Sequence, residues 1–173
     1  MALFDVTKFK ASEEVAKLLG FSRMLTLGSE VTMGQASEAG KLKNMLVDFD
    51  KSQGISSVVK ALKNQDVLGI ATGFGARIEQ KVISELEQEE KALVINAGTL
   101  MCAEQDRLSQ MLGSAPAVFA RAKNARLKIG IASFAESESC LASSKQLIYL
   151  ATLLLGASEP EAKQMLGFWS DFL

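Results

Sequence analysis

Several short patterns in this sequence combine residue types that catalysis or binding uses. Gly69-Ile-Ala-Thr-Gly73-Phe-Gly75 is the glycine-rich segment whose backbone could approach a phosphate, its amides aimed into a helix from Ala76. Ile78 stands where a dinucleotide fingerprint needs its third glycine, and the Lys-Ser/Thr ending of a P-loop is missing. Ser57-Val-Val-Lys60 places a hydroxyl and a lysine on one helical face, as in acylating Ser-x-x-Lys enzymes. Neither companion motif of those enzymes is present, so Ser57 reads as a helix cap. Asp48-Phe-Asp50-Lys-Ser52-Gln-Gly54 resembles the opening of a calcium loop. Gln53 and Val59, however, hold the positions that require Gly and a bidentate Glu, which leaves a polar turn.

Charged clusters come next. Glu85 and Glu89 face the same way on a helix among Glu79, Glu87 and Glu90, which reads as a solvated acidic face. Arg121, Lys123, Arg126 and Lys128 form a basic cluster that could meet phosphates. No aromatic residue interleaves it, and pairing with the acidic helix is the more economical expectation.

Composition narrows the chemistry further. The chain has no histidine, which removes Ser-His-Asp and Cys-His catalysis and His-based zinc, haem or di-iron sites. Lys and Arg number 19 against 20 Asp and Glu, so the net charge gives no global pull towards nucleic acid. Cys102 and Cys140 lie far apart in apolar runs, as buried thiols of a reducing, cytoplasmic location would. The start of the sequence has no secretory pattern. The longest uncharged apolar run, Leu147 to Ala157, falls short of the roughly 20 residues of a membrane helix.

The elements that must position these residues read mostly as helices. Ser12-Glu13-Glu14 opens one that Gly20 closes, and residues 21–33 form an apolar one. Ser37 caps another with Leu42, Met45, Leu46 and Phe49 in register. Ser56 or Ser57 precedes Val58, Val59 and Leu62. Ile78, Val82, Ile83 and Leu86 stripe a helix over 76–91. Leu93 to Leu112, Ser114 to Asn124 and residues 145–156 continue the series, and Pro160 suits the first turn of a last helix. Leu93–Gly113 aligns without gaps on Leu147–Gly167, a candidate internal repeat. A rival reading makes Val67–Ala71, Ala92–Asn96 and Leu127–Ile131 short buried strands, each followed by a helix.

Residues 127–156, followed by Ala-Ser-Glu-Pro-Glu161, resemble the apolar helix, acidic turn and closing Gly-x-x-x-x-Glu of the tellurite-resistance TerB-like family. A second match runs from Arg23 to Met45, with Gly34 and Glu38 on that family's turn glycine and glutamate. The resemblance implies an all-helical fold of two related halves with acidic turns tied to metal. Met33, Ser137 and Ser144 stand where the acidic residues would be, and Glu136 and Glu138 could substitute only in a shifted register.

The expectation is therefore an all-α bundle, one helical domain over 1–173, with α/β around a short parallel sheet as the alternative. It is a binding protein of the stress-response type rather than an enzyme. No catalytic residue, cofactor or metal site is expected, and the partner is a protein or a second copy, with no nucleic acid and no transmembrane segment. A self-assembling component and a small α/β nucleotide-binding enzyme are the alternatives. Leu166, Phe168, Trp169, Phe172 and Leu173 form an apolar face at helical spacing, the expected interaction surface.

Overall fold

Apolar runs bounded by polar turns recur along the whole chain, and most of them are strands. The computed structural model describes residues 2–74, 76–101 and 105–172. Strands β1 (Phe4–Thr7) and β2 (Arg23–Thr26) pair in parallel, with helix α1 (Glu13–Leu18) between them. Strands β3 (Thr32–Gly34), β4 (Met45–Asp48), β5 (Val67–Gly73), β6 (Ala92–Asn96) and β7 (Lys128–Ala132) make a parallel sheet in sequence order. Helices α2 (Ile55–Leu62) and α3 (Gln80–Gln88) cross over within that sheet, as do α4 (Gly98–Met101) and α5 (Gln105–Asn124). Helices α6 (Ser144–Leu155) and α7 (Glu159–Gly167) follow β7, and a 3-10 turn over Phe168–Phe172 ends the described chain.

The two sheets bend into an incomplete barrel. A bridge from Leu27 to Val31 joins β2 to β3, and one from Thr7 to Ala135 joins β1 to the end of β7. Val6, Leu25, Val31, Leu46, Ala71, Val94 and Ala132 meet in one interior cluster, a residue from each strand or its edge. Alternate strand residues, among them Val47, Ile70, Leu93, Ile95 and Ile131, face outward into a second core under the helices. Strands β4 to β7 are thus covered on both faces, the usual condition of a parallel sheet, while β3 at the sheet edge is only half-buried.

This architecture overturns the all-α expectation and the bundle built on it. Residues 21–33 are β2 and β3, and the segment with Leu42 to Phe49 is a loop and β4. The α/β alternative is the one the structure supports, since its three runs are β5, β6 and β7. The TerB-like resemblance falls with the bundle: its two segments contain β2, β3, the start of β4 and β7. The apparent repeat is not a structural one, because Leu93 lies in β6 while its counterpart Leu147 lies in α6. Residues 102–104 of that repeat, Cys102 included, lie outside the described residues. Cys140 is half-buried.

Helices that cover the barrel from one side kept the pattern that made them legible. Val82, Ile83 and Leu86 bury the inner stripe of α3, although the helix starts at Gln80 rather than at Ala76. Ser143 and Ser158 cap α6 and α7 through capping boxes with Gln146 and Glu161, and Pro160 occupies the first turn of α7.

The seam between first and last strands is the unusual part of the fold. The Ala132 carbonyl accepts from Ala97 N on the β6 side, so the preceding carbonyl, of Ile131, faces the opposite edge. There it accepts from Trp169 Nε1 at 3.2 Å. Further up the seam, Ser133 N donates to Asp5 and Lys8 N donates to the Ala135 carbonyl. Side chains therefore stand in for part of a ladder. Phe168 reaches this position by lying flat on β7, where a Cβ on Gly130 would come within 2.6 Å of its ring. Gly130→Ala is expected to cost about 1–3 kcal/mol through overpacking. A thermal melt would show it, and an unchanged midpoint would mean that Phe168 does not need this contact.

Candidate functional site

Parallel α/β barrels carry functional groups at the C-terminal ends of their strands, so that rim is the first place to look. Thr7, Asp48, Thr72, Gly73 and Asn96 end their strands there, and Ser133 and Glu136 follow β7. Asp50 Oδ2 accepts from Gly73 N at 2.8 Å, and Thr72 Oγ1 lies 3.5 Å from its other oxygen. Asp48 holds the backbone N of Lys51 at 3.2 Å and its Nζ at 3.3 Å. Lys8 pairs with Glu136, which holds that carboxyl below its ordinary range, first by hydrogen bonding and then by charge. Among the described residues, the buried Oδ1 of Asn96 has no hydrogen-bond partner. The rim is thus largely a set of mutually satisfied charges.

Among the described residues, Asp5 is the most deeply buried ionisable group. It is fully buried, and its carboxylate accepts from Ser133 N at 2.6 Å, Ser133 Oγ at 2.5 Å and Val6 N at 2.8 Å. Desolvation outweighs these three hydrogen bonds and raises its pKa from 3.8 to about 6. Its partners belong to the β1–β7 seam, so its place in the fold is structural.

The motifs singled out in the sequence are mostly absorbed by this scaffold. Gly69 lies inside β5, where a Cβ would sit 2.0 Å from the Ala92 carbonyl oxygen, so that glycine serves strand packing. The amide of Gly73 is taken by Asp50, Gly75 lies outside the described residues, and α3 begins only at Gln80. A phosphate cradle at a helix start is not what the segment forms. Ser57 bonds back to the carbonyls of Gln53 and Gly54, at the first turn of α2. The calcium-loop look-alike is the turn after β4. Among the described residues no group of three or more potential ligands could hold a metal ion. Glu136 and Glu138 are both exposed, Glu138 in a short 3-10 turn.

The C-terminal apolar residues do not form an outer face. Leu166, Phe168 and Trp169 are buried within the chain, Trp169 completely, with T-shaped contacts to Phe134 at 6.3 Å and Phe168 at 5.0 Å. The side chain of Phe172 and all of Leu173 lie outside the described residues.

The basic cluster sits at the opposite rim, where α5 runs into β7. Arg126 and Lys128 are exposed and Arg121 half-buried. Of the cluster, Lys123, Arg126 and Lys128 edge a recess of about 350 Å³ whose apolar floor includes Phe119, Ile129 and Met165. Within the chain no ion pair among the described residues joins the cluster to the acidic helix, although Arg126 and Lys128 line a small recess together with its Glu87 and Glu90. Lys123 instead pairs with Glu161 of α7, whose carboxyl is lowered to about 2, chiefly by that lysine and then by Ser158. Glu85 lies 3.5 Å from Lys63. Among the described residues, Arg121, Arg126 and Lys128 make no ion pair with a carboxylate.

No helix among the described residues is long and apolar enough to cross a membrane. No protein-family model matches the chain, and no curated protein does. Among solved structures, a chain in the cryo-EM structure of archaeal ribonuclease P with mature tRNA has the same fold, with a TM-score of 0.74 at 14% identity. The match covers 98% of this chain and 89% of that one. The helical binding-protein reading therefore gives way to its α/β alternative. The expectation of no nucleic-acid partner also loses its ground, because this fold occurs inside a ribonucleoprotein assembly.

Proposed function

We propose that this chain is an RNA-binding protein that performs no chemical step of its own and contributes its surface to an RNA-processing assembly. The observation that carries the reading is the match, over nearly the whole chain, to a chain of a ribonuclease–tRNA complex. Two features of the molecule accord with it. The strand-end rim, where a barrel enzyme would keep its reacting groups, has its carboxylates committed to neighbouring amides and lysines. On the opposite rim Arg126 and Lys128, among the described residues, form no ion pair with a carboxylate, which leaves them open to phosphate contacts. A reducing, cytoplasmic setting fits the two widely separated cysteines.

The test is direct binding. A folded transfer-RNA transcript titrated with the full chain is expected to bind at about 50 mM salt and to weaken steeply towards about 200 mM. The RNA should remain uncut through the titration. No binding at the lower salt concentration would overturn the RNA reading, and cleavage would overturn the non-catalytic part.

A further inference from the structure

We propose that the RNA surface is the recess between α5, β7 and α7, where Arg126 and Lys128 hold the ribose–phosphate backbone of a structured RNA. This rests on the RNA-binding reading above and adds the place and the groups.

Three observations single out this corner. The first is charge balance. On the strand-end rim Lys8 and Lys51 are matched by Glu136 and Asp48, so little charge is left for a ligand. In the recess only Glu161 is acidic, and Lys123 and Ser158 already occupy it. A surplus of positive charge remains, which is what an RNA strand neutralises with release of its counterions.

The second is backbone placement. The amides of Arg126 and Leu127 donate to the carbonyls of Lys123 and Ala122, a Schellman motif that ends α5. The left-handed position of that motif normally takes glycine, and here Arg126 adopts it with φ of 54°. The arginine is therefore fixed at the mouth of the recess rather than carried along the helix side. Lys128, two residues on, is anchored by the β7 register against Ala92. Two cations are thus held on rigid elements at neighbouring positions.

The third is shape and boundary. The recess is concave with an apolar floor, so a sugar–phosphate strand can settle into it instead of touching a flat surface. On its other side Arg126 and Lys128 also line a smaller recess of about 180 Å³ that holds Glu87, Glu90 and Lys91, without forming an ion pair with either carboxylate. Those carboxylates repel phosphate and confine the binding strip to the α5–β7–α7 side. Helix-end cations also complement the α5 dipole. That role explains Arg121 and Lys123 alone, but not Lys128, which belongs to a strand.

The experiment compares two charge-matched double variants of the full chain on the transfer-RNA transcript. Arg126→Asn with Lys128→Gln removes two recess charges, asparagine being tolerant of the left-handed backbone. Lys60→Gln with Lys81→Gln removes two exposed charges on α2 and α3. Should the first pair unfold the chain, Lys128→Gln alone replaces it, set against Lys60→Gln, with about half the change in salt slope. The recess pair is expected to weaken binding about tenfold or more and to lower the salt slope by about two, one per lost phosphate contact. The control pair should change affinity less than about twofold. Equal losses from both pairs, or no loss from the recess pair, would overturn the surface assignment while leaving RNA binding in place. Failure of the unaltered chain to bind the transcript would overturn both.

Discussion

Replacing Trp169 with alanine is expected to remove most of the stability of this fold. The side chain is completely buried and lies where β1 and β7 fail to pair along their length. Truncating a large core aromatic costs about 3–5 kcal/mol, against a typical total of about 5–15. Two further losses act in the same direction. The Ile131 carbonyl loses its indole donor, and Phe134 and Phe168 lose the ring that both contact edge-on. Trp169→Phe separates these contributions, since it keeps most of the apolar volume and removes the N–H. That variant should lose about 1–3 kcal/mol, the cost of a buried carbonyl left unpaired. Urea unfolding of both variants measures the difference. If alanine costs less than about 1 kcal/mol, the 3-10 turn over Phe168–Phe172 is an appendage and the seam is closed by something else.

The same residue shows how sequence and structure part company. Leu166, Phe168 and Trp169 read as part of an apolar face that must either close the core or meet a partner, and apolar content of that kind is indeed buried. Local spacing does not say against what. Here the cover is the chain's own first and last strands, far apart in sequence. The strands themselves were hard to read for a related reason. Met45, Leu46 and Val47 are all buried because β4 has an interior side and a helix-covered side, so no alternation marks it. With Leu42 and Phe49 nearby, the same residues fit a helical period by coincidence. β5, β6 and β7 were legible as an alternative because each is a short apolar run followed by a helical segment, the spacing of βαβ units. α3 was legible because its Glu-rich outer face contrasts with the Val82–Ile83–Leu86 stripe.

Of the candidate sites, the basic cluster was visible as a run of charge, while its neighbours were not. Pairing of Lys123 with Glu161 depends on α7 folding back along α5, which no local pattern encodes. Asp5 gave no signal at all. One carboxylate in a four-residue strand looks like any exposed aspartate until β7 closes over it.

Asp5 should make the stability of the protein fall as pH rises from about 4 to about 6. Burial raises its carboxyl from 3.8 in the unfolded chain to about 6 in the fold. Between those values the folded state keeps a proton that the unfolded state has released, so folding is favoured by acid. The contribution is complete below pH 3.8 and is lost as pH rises through about 6. Over that interval the loss amounts to about 3 kcal/mol. Glu161 acts in the opposite sense, its lowered pKa adding stability that is lost as pH falls towards 2. The difference between wild type and Asp5→Asn isolates the Asp5 part. Asparagine keeps the oxygen that accepts from Val6 and Ser133 amides. Its NH₂ can donate to Ser133 Oγ, with the hydroxyl turning from donor to acceptor. The variant should therefore match wild type near pH 4 and exceed it by about 1–3 kcal/mol at pH 7, where the buried charge is costly. Asp5→Ala has no such repair, because two seam amides lose their acceptor, and it should lie about 3 kcal/mol below the asparagine variant at either pH. Urea midpoints of the three proteins across this pH range give the answer. A wild-type-minus-asparagine difference that stays flat from pH 4 to 8 would show that this carboxyl does not titrate there, and the burial argument for the β1–β7 seam would fail with it.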